Sequence, residues 1–313
     1  MITTQSDDRL LKMLSTALGP DIAKFLSDPK IVELMLNPDR RLWIDKLGIG
    51  RQDTGTKIMP ADAERIIGIV ATSAGSECNH ITPILSAEMP GSGYRFQGIL
   101  PPVVSSPVFT IRKKALLIYS LDDYVKQGIM TKTQMQTVKK AVTDKENILV
   151  VGGTGTGKTT LVNAILAEIG KTKDRIVIIE DTQELQCPAD DTVFLRSREG
   201  VATMTNLLKA TMRLRPDRIV VGEVRGGEAL ALLKAWNTGH PGGAATVHAN
   251  SAAAGLTRIE QLIQEAVVGV SRHLIAEAVN IIVYIERTPR GRKIKEICRV
   301  TGVDGEKYLT ALV

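Results

Sequence analysis

The chain has 313 residues, of which 43% are hydrophobic and 24% are charged, and its formal net charge at pH 7 is +6. This composition is ordinary for a globular protein and excludes a disordered or low-complexity chain, while the length predicts two modest domains. Two Trp, five Tyr and four Phe are too few for a protein that binds nucleic acid mainly by stacking bases on aromatic side chains.

The first third of the sequence predicts a small domain of mixed α and β structure. Amphipathic spacing predicts two helices, and short apolar runs bounded by Gly, Pro, Asn and Asp predict strands. The predicted helices cover residues 7–18 and 61–74, and the predicted strands cover 31–36, 41–45 and parts of 83–111. Gly19 is expected to end the first helix.

The remainder of the chain alternates apolar strands with helical segments. Such alternation predicts an α/β fold with a mostly parallel sheet covered by helices on both faces. The predicted strands cover residues 148–151, 176–179, 219–221, 244–247 and 281–285. We therefore expect a smaller α+β domain over residues 1–125 and an α/β domain over residues 126–313.

A phosphate-binding loop is predicted directly after strand 148–151. The segment matches the P-loop pattern GxxxxGK[ST] and leads into a helical run. Its backbone N–H groups and the following helix N-terminus are expected to face the phosphates of ATP. Lys158 is expected to reach the β- and γ-phosphates, and Thr159 to ligate Mg²⁺. The predicted nucleotide-binding residues are Gly152, Gly153, Thr154, Gly155, Thr156, Gly157, Lys158, Thr159 and Thr160.

Acidic residues follow two of the predicted buried strands. Glu180 and Asp181 come after strand 176–179, and Glu223 comes after strand 219–221. Ligands of open α/β sheets bind at the carboxyl ends of the strands, where a carboxylate can orient water or hold the water shell of a metal. We predict Glu223 as a catalytic and metal-binding residue. We predict Glu180 as a catalytic group and Asp181 as a nucleotide-site group. Either of these two carboxylates is placed to contact the metal's water shell.

Two of the four histidines, His240 and His248, bracket strand 244–247. An imidazole at a strand end can donate a hydrogen bond to a γ-phosphate and so distinguish ATP from ADP. We predict His248 as a catalytic group and His240 as a nucleotide contact. A structural role for His240, with the backbone as its partner, is the alternative.

Four segments together resemble the secretion ATPases of type II and type IV systems, most of all the conjugal-transfer ATPases. The segments are GGTGTGKTT, IIEDTQEL, LRPDRIVVGEVRGGEA and NTGHPGGAATVHANS, and they cover most of residues 148–251. The resemblance implies a homo-hexameric ring whose subunits join a PAS-like N-terminal domain to a RecA-like ATPase domain. It further implies a motor that powers pilus assembly or the transfer of DNA–protein substrates with inner-membrane secretion proteins as partners.

The same resemblance implies arginines that approach the phosphates from the N-terminal domain. Arg95, ahead of a Pro-containing stretch, and Arg112, in Ile-Arg-Lys, fit this pattern. Each is a predicted catalytic residue that neutralises transition-state charge, either within its own subunit or in a neighbour's site. Arg225, two positions after Glu223, is predicted to bridge subunits.

The remaining positive charge includes a basic cluster after the last predicted strand. A basic run, predicted as a solvated turn or as a contact for an acidic lipid or protein surface, comprises Arg287, Arg290, Arg292, Lys293 and Lys295. No apolar run approaches the roughly 18 residues that span a bilayer, so we expect a cytoplasmic protein, soluble or peripheral on the inner membrane. Direct sequence-specific binding of nucleic acid is not expected. The alternatives are a type IV pilus or type II secretion motor, a DNA-stimulated RecA-type ATPase, and a scaffold that binds ATP without turnover.

Overall fold

Two separate β-sheets organise the chain, each with its own apolar core. The computed structural model describes residues 5–114, 118–198, 200–289 and 291–313. These residues form two units, Met1–Leu116 and Leu117–Val313. No helix in the described ranges is long and apolar enough to cross a bilayer.

The first unit is an antiparallel sheet with two helices. Its elements are α1 (Gln5–Ser27), β1 (Ile31–Leu36), β2 (Arg41–Lys46), β3 (Gly50–Lys57), α2 (Pro60–Ser73), β4 (Ile84–Glu88), β5 (Arg95–Ile99) and β6 (Val108–Arg112). The strands lie in the order β3-β2-β1-β6-β5-β4. Alternate residues such as Leu34, Phe96 and Phe109 are fully buried and pack in one core with Ile66 of α2.

The first helix continues beyond its predicted end. Gly19 has a left-handed φ of 68° and kinks the chain, and helical residues resume at Pro20. Proline is tolerated where a helical segment begins, because its missing N–H has no partner there in any case. Gly19 therefore interrupts α1 without ending it.

The second unit has an eight-stranded sheet with helices. Its elements are α3 (Leu121–Lys126), α4 (Lys132–Thr143), β7 (Ile148–Val151), α5 (Lys158–Ile169), β8 (Ile176–Glu180), β9 (Thr192–Arg196), α6 (Met204–Thr211), β10 (Arg218–Val221), α7 (Glu228–Asn237), β11 (Ala244–Val247), α8 (Ala252–Gln264), α9 (Arg272–Ala278), β12 (Ile281–Thr288), β13 (Gly291–Asp304) and β14 (Lys307–Leu312). The order is β14-β13-β12-β7-β11-β10-β8-β9. The expected α/β class with a mostly parallel sheet is confirmed, and β13 and β14 add an antiparallel edge that the sequence did not predict.

Helix α3 belongs to the second unit. Leu121 and Tyr124 are buried in a core that also contains residues of β7 and α5. The predicted domain boundary at residue 125 falls inside this helix, and the division into Met1–Leu116 and Leu117–Val313 assigns the whole helix to the second unit.

The register of the parallel strands brings four predicted site segments to one edge of the sheet. Val151 of β7 pairs with Val247 of β11, and Val221 of β10 pairs with both Ala245 of β11 and Ile179 of β8. The residues that follow these strands therefore share the carboxyl edge, where ligands of such sheets bind. All four strands are fully buried, which explains why their sequences are mostly apolar.

Candidate functional site

The loop after β7 has the backbone that a phosphate-binding loop requires. Gly155 and Gly157 have left-handed φ values of 71° and 99°, and Gly157 is the N-cap of α5 without a side-chain hydrogen bond to cap the helix. A Cβ at Gly152 would lie 2.5 Å from the carbonyl oxygen of Ile285 on β12. Glycine is needed at 155 and 157 for the turn and at 152 for packing. The uncapped start of α5 leaves amide donors for an anion.

Lys158 closes this loop upon itself. Its buried Nζ donates hydrogen bonds to the carbonyl oxygens of Gly152 and Gly153 at 3.0 and 2.9 Å. The Thr156 hydroxyl also donates to Gly153, at 2.9 Å. The same ammonium group lies 3.2 Å from Nε2 and 3.3 Å from Nδ1 of His248. The lysine thus connects the loop to the segment after β11.

A chain of polar contacts continues from His248 across the edge of the sheet. His248 Nε2 lies 2.6 Å from Oε1 of Glu223. The other oxygen, Oε2, accepts hydrogen bonds from Nε and Nη2 of Arg225 at 2.9 and 2.5 Å. Arg225 also forms an ion pair with Asp181. Lys158, His248, Glu223, Arg225 and Asp181 are therefore linked directly, from the P-loop to the end of β8.

The protonation of His248 follows from these neighbours. Burial, and then the positive charge of Lys158, lower the pKa of His248 below its ordinary value of 6.5, although Glu223 acts in the opposite direction. The ring is therefore mostly neutral at pH 7 and carries one N–H. With Nε2–H donating to Glu223, Nδ1 is left to accept from Lys158.

Glu180 has different partners from Asp181. Its carboxylate is buried, and Oε1 accepts hydrogen bonds from the backbone N–H groups of Glu184 and Leu185 at 3.0 and 2.9 Å. Burial raises its pKa to about 7, against the effect of the two hydrogen bonds. A Cβ at Gly222 would lie 2.9 Å from Cγ of Glu180, so glycine makes room for this side chain beside β10. These contacts organise the loop after β8, and the catalytic role of Glu180 stays a prediction.

His240 lies away from the P-loop in this structure. Residue 240 precedes β11 and the P-loop follows β7, and these two strands are parallel and in register. His240 therefore lies beyond the amino end of the sheet, where its Nδ1 is 2.8 Å from the carbonyl oxygen of Pro216. The four residues of β11 separate the two histidines by about 13 Å of strand. This contact agrees with the alternative, a structural histidine bound to the backbone, and the nucleotide contact of His240 stays a prediction.

Arg95 and Arg112 lie side by side in the first unit. They are directly opposite each other on β5 and β6, and Arg112 is also opposite Glu33 of β1. Burial raises the pKa of Glu33, and the charges of the two arginines reduce the rise. Glu88 of β4 lies opposite Arg95 in turn, so a carboxylate flanks each of the two arginines across the sheet. Their contact with phosphates stays a prediction.

The structure adds two site residues that the sequence did not predict. The Glu228 carboxylate accepts hydrogen bonds from the backbone N–H groups of Arg225 and Gly226 at 2.7 and 2.9 Å, which holds the loop after Glu223. The Arg292 side chain lies against the P-loop, with Nε 3.2 Å from the position of a Cβ on Gly157. Arg292 was predicted only as part of the basic run, and Arg290 of that run lies outside the described residues. Only the pairing of β12 with β13 places Arg292 here.

The family described as "Type II/IV secretion system protein" matches residues 86–304. The chain belongs to this family. The resemblance that the four motifs indicated is confirmed. Within the family, the chain is 50% identical to the probable conjugal transfer protein TrbB of Sinorhizobium fredii over 97% of this chain and 94% of that protein. It is 49% identical to the conjugal transfer protein TrbB of Rhizobium radiobacter over 99% and 96%.

More distant relatives and solved structures also align with most of this chain. The type IV secretion system protein VirB11 of Bartonella quintana is 30% identical over 90% of this chain and 91% of that protein. Among solved structures, the VirB11 ATPase of Brucella suis, in complex with sulphate, has 25% identity and a TM-score of 0.50 over 95% of this chain and 97% of its own. The ATPase DotB of Legionella pneumophila has 18% identity and a TM-score of 0.60 over 91% and 78%.

Proposed function

We propose that the chain is the ATP-hydrolysing motor of a conjugative type IV secretion system. The observation that carries this proposal is the continuous polar chain from Lys158 through His248 to Glu223, because it joins the phosphate-binding loop to a carboxylate suited to orient water. The relatives are named conjugal transfer protein TrbB and type IV secretion system protein VirB11, and these names support a conjugative secretion system as the machinery that the motor drives.

Binding of ATP exchanges one set of partners for another. In the structure Lys158 Nζ is held by the carbonyl oxygens of Gly152 and Gly153. We propose that the β- and γ-phosphates replace these oxygens as its partners, because a charged acceptor forms a stronger hydrogen bond with an ammonium group than a neutral carbonyl does. The N-terminus of α5 and the backbone N–H groups of the loop receive the remaining phosphate oxygens.

Glu223 is the proposed catalytic carboxylate. One oxygen is held by Arg225 and the other by His248, so the side chain is fixed at the end of β10. A fixed carboxylate can accept a hydrogen bond from water and align it with the γ-phosphate. Because the pKa of His248 is lowered, the ring stays neutral. Its N–H can then donate a hydrogen bond to either Glu223 or a phosphate oxygen.

Mg²⁺ is the metal that this proposal adds. No group of three or more His, Cys, Asp or Glu side chains in the described part of the chain is suited to hold a metal ion. Thr159, the second residue of α5, offers a hydroxyl, and Glu223 offers a carboxylate, and both are hard oxygen donors of the type that Mg²⁺ prefers. We propose that Mg²⁺ is held by Thr159, by water in contact with Glu223 and by the nucleotide, and that it neutralises charge on the β- and γ-phosphates.

The assembly is proposed from the family and the fold. We propose a homo-hexameric ring in which the first unit is PAS-like and the second is RecA-like. The parallel arrangement of β12, β7, β11, β10, β8 and β9 supports the second assignment. Arg95 and Arg112 are proposed to reach the phosphates, and inner-membrane secretion proteins are the proposed partners, with the ring in the cytoplasm or on the membrane surface.

The catalytic proposal is tested with Lys158→Ala. We expect phosphate release to fall to the background rate, and plasmid transfer to fail when this variant replaces the native protein in a donor strain. Lys171→Ala, which removes an exposed lysine just beyond the last turn of α5, is the matched control and should keep both activities. Turnover that equals wild type in Lys158→Ala would remove the P-loop as the site, and turnover that requires DNA would favour the DNA-stimulated alternative.

Completion of the site by a neighbour is tested separately. Subunits carrying Arg112→Ala are mixed with subunits carrying Lys158→Ala, each inactive alone. Recovery of phosphate release at intermediate ratios is expected if one subunit supplies the arginine to the P-loop of the next. The absence of recovery at every ratio, with mixed rings verified by mass spectrometry, would leave Arg112 acting within its own subunit.

A further inference from the structure

A groove between α6 and α7 lies outside the nucleotide site. It encloses about 490 Å³, and its lining includes Ala266 and Gly227, which pack so closely that a Cβ on the glycine would lie 2.4 Å from the alanine Cβ. This volume falls in the range of binding pockets for small ligands or protruding side chains. All the residues that line it belong to the second unit.

One face of α6 forms the first wall. Thr205, Leu208, Lys209 and Met212 line the groove, and their spacing is i, i+3, i+4 and i+7. Residues with this spacing lie on one side of a helix. Leu208 is buried at the floor, whereas Met212 is 38% exposed and leaves its side chain available to a ligand.

The facing side of α7 has the same spacing. Ala231, Lys234, Ala235 and Thr238 line the groove at i, i+3, i+4 and i+7. Leu230 also lines the groove, so this helix contributes one large and two small apolar side chains. The α6 and α7 helices have 8 and 10 residues, which gives walls of about 12 and 15 Å. A groove of this length accommodates two to three turns of a third helix, with anchors at the same spacing.

The charge at the rim indicates the character of that helix. Lys209 and Lys234 are exposed, one on each wall. Glu228, the carboxylate among the lining residues, is engaged by the backbone N–H groups of Arg225 and Gly226. Two lysines against one carboxylate give the lining a net positive charge, and acidic side chains on either flank of an apolar stripe would complement the two lysines.

The groove also adjoins the loop that carries the proposed catalytic carboxylate. Gly227 and Glu228 line it, and Glu228 fixes the backbone of Arg225, whose side chain holds Glu223. A ligand that contacts Glu228 in the groove therefore touches the residue that holds Arg225, a member of the polar chain at the nucleotide site. This position suits a partner whose binding must be matched to ATP turnover.

We propose that the groove between α6 and α7 docks an amphipathic, acidic helix of a partner protein. Apolar side chains of that helix lie over Ala231, Ala235 and Met212, and its acidic side chains pair with Lys209 and Lys234. The docking does not depend on ATP hydrolysis by this chain, so it can be tested whether or not the proposed function holds.

The test uses the full chain and two labelled peptides. Each is a hydrocarbon-stapled helix of about 15 residues, since shorter or unstapled helices are marginal in water. One has Leu at i, i+3, i+4 and i+7 with Glu on both flanks, and the other has Lys in place of each Glu. Fluorescence anisotropy at low salt is expected to show micromolar binding of the acidic peptide and at least tenfold weaker binding of the basic one.

Two sets of variants locate the binding. Ala231→Trp fills the groove and should weaken the acidic peptide at least tenfold. Lys209→Glu with Lys234→Glu should reverse the preference, so that the basic peptide binds more tightly. Lys132→Glu with Lys307→Glu, which makes the same change in net charge at exposed lysines away from the groove, should leave the preference unchanged. Thermal unfolding shows that each variant is folded, and the exposed lysine variants keep the test valid if Ala231→Trp does not fold.

Several outcomes would overturn the proposal. Equal binding of the two peptides, or an equal effect of the control lysine pair, would show non-specific attraction. Binding that is unchanged in both Ala231→Trp and the Lys209 and Lys234 variant would place the peptide elsewhere. A change in subunit number caused by Ala231→Trp, seen by mass photometry, would make the groove an interface between copies of this chain.

Discussion

The two edges of the parallel sheet in the second unit show how similar residues acquire different roles. At the carboxyl edge, Glu223 and Arg225 meet neutral His248 in a half-exposed chain of hydrogen bonds and ion pairs that begins at the P-loop lysine. At the amino edge, Arg218 is fully buried and donates to Asp174 and to the carbonyl oxygens of Gly242 and Val142.

The difference lies in whether the polar groups have fixed partners. The hydrogen bonds of Arg218 connect β10 to Val142 of α4, to Asp174 and to Gly242 before β11. This cluster therefore joins these segments into one scaffold. At the carboxyl edge, by contrast, Lys158 is held by neutral carbonyl oxygens that a phosphate can replace. We therefore expect substitutions at the carboxyl edge to change turnover and those at the amino edge to change stability.

The largest effect is expected for Glu223→Gln at the carboxyl edge. The amide keeps the shape of the side chain and can still accept from Arg225, but it loses the negative charge that orients water. We expect phosphate release to fall about 10²- to 10⁴-fold, while ATP binding, measured by the fluorescence of a labelled nucleotide, is retained. Unchanged turnover would exclude Glu223 as the catalytic carboxylate.

The next effect is expected at the amino edge, for Arg218→Met. The apolar side chain fills similar space but leaves Asp174 without its buried partner, and breaking such a pair costs about 3–5 kcal/mol. Urea unfolding should therefore show a large loss of stability, with turnover per folded molecule close to wild type. The control Lys145→Met removes the more exposed partner of Asp174 and should cost about 1 kcal/mol or less. Equal losses in both variants would contradict the structural role of Arg218.

The pH dependence of stability should also differ between the two edges. Burial raises the pKa of Glu180 to about 7, so the folded state favours the protonated form of this group. Its contribution to the free energy of unfolding is present below pH 4.5 and is lost as the pH rises through 7. This loss lowers the free energy of unfolding by about 3 kcal/mol. Burial opposes the ionisation of Asp174, but hydrogen bonds from Lys145, Arg218 and Thr172 outweigh it and lower its pKa to about 2. Its contribution is present above pH 3.8 and is lost as the pH falls towards 2.

Matched amide variants separate these two contributions in urea unfolding curves measured from pH 3 to 8. Glu180→Gln can still accept from the backbone of residues 184 and 185, and it should remove the decline between pH 4.5 and about 7. Asp174→Asn should leave that decline in place and flatten the loss of stability below pH 4. If the free energy of unfolding of Glu180→Gln still falls with the wild-type slope as the pH rises to 7, another group is responsible for the decline.

The sequence predicted the parts of this molecule that depend on local pattern. Continuous apolar runs identified β7, β8, β10 and β11, and the P-loop motif identified Gly152 to Thr159, because burial on both faces and a fixed turn each leave a signature in consecutive residues. Strand β3 was missed because its residues, GRQDTGTK, are polar and largely exposed, so that only pairing with β2 makes them a strand.

The contacts that the sequence did not predict join distant segments. Arg225 pairs with Asp181 of the same chain, 44 residues earlier, whereas the sequence indicated a bridge between subunits. Arg292 lies against Gly157 only because the β12–β13 hairpin is adjacent to β7. Such placements depend on strand order, which motifs alone do not determine.

The two histidines give the smallest and most specific test of the comparison. His248→Ala removes the donor to Glu223 and the neighbour of Lys158, and we expect turnover to fall about 10- to 100-fold with little change in unfolding. His248→Gln keeps a donor near the position of Nε2 and should recover part of the loss. His240→Ala removes the hydrogen bond to the Pro216 carbonyl and should cost about 1 kcal/mol in urea unfolding while turnover stays within about twofold of wild type. If His240→Ala instead lowers turnover as much as His248→Ala does, the amino edge takes part in the reaction and the division between the two edges is wrong.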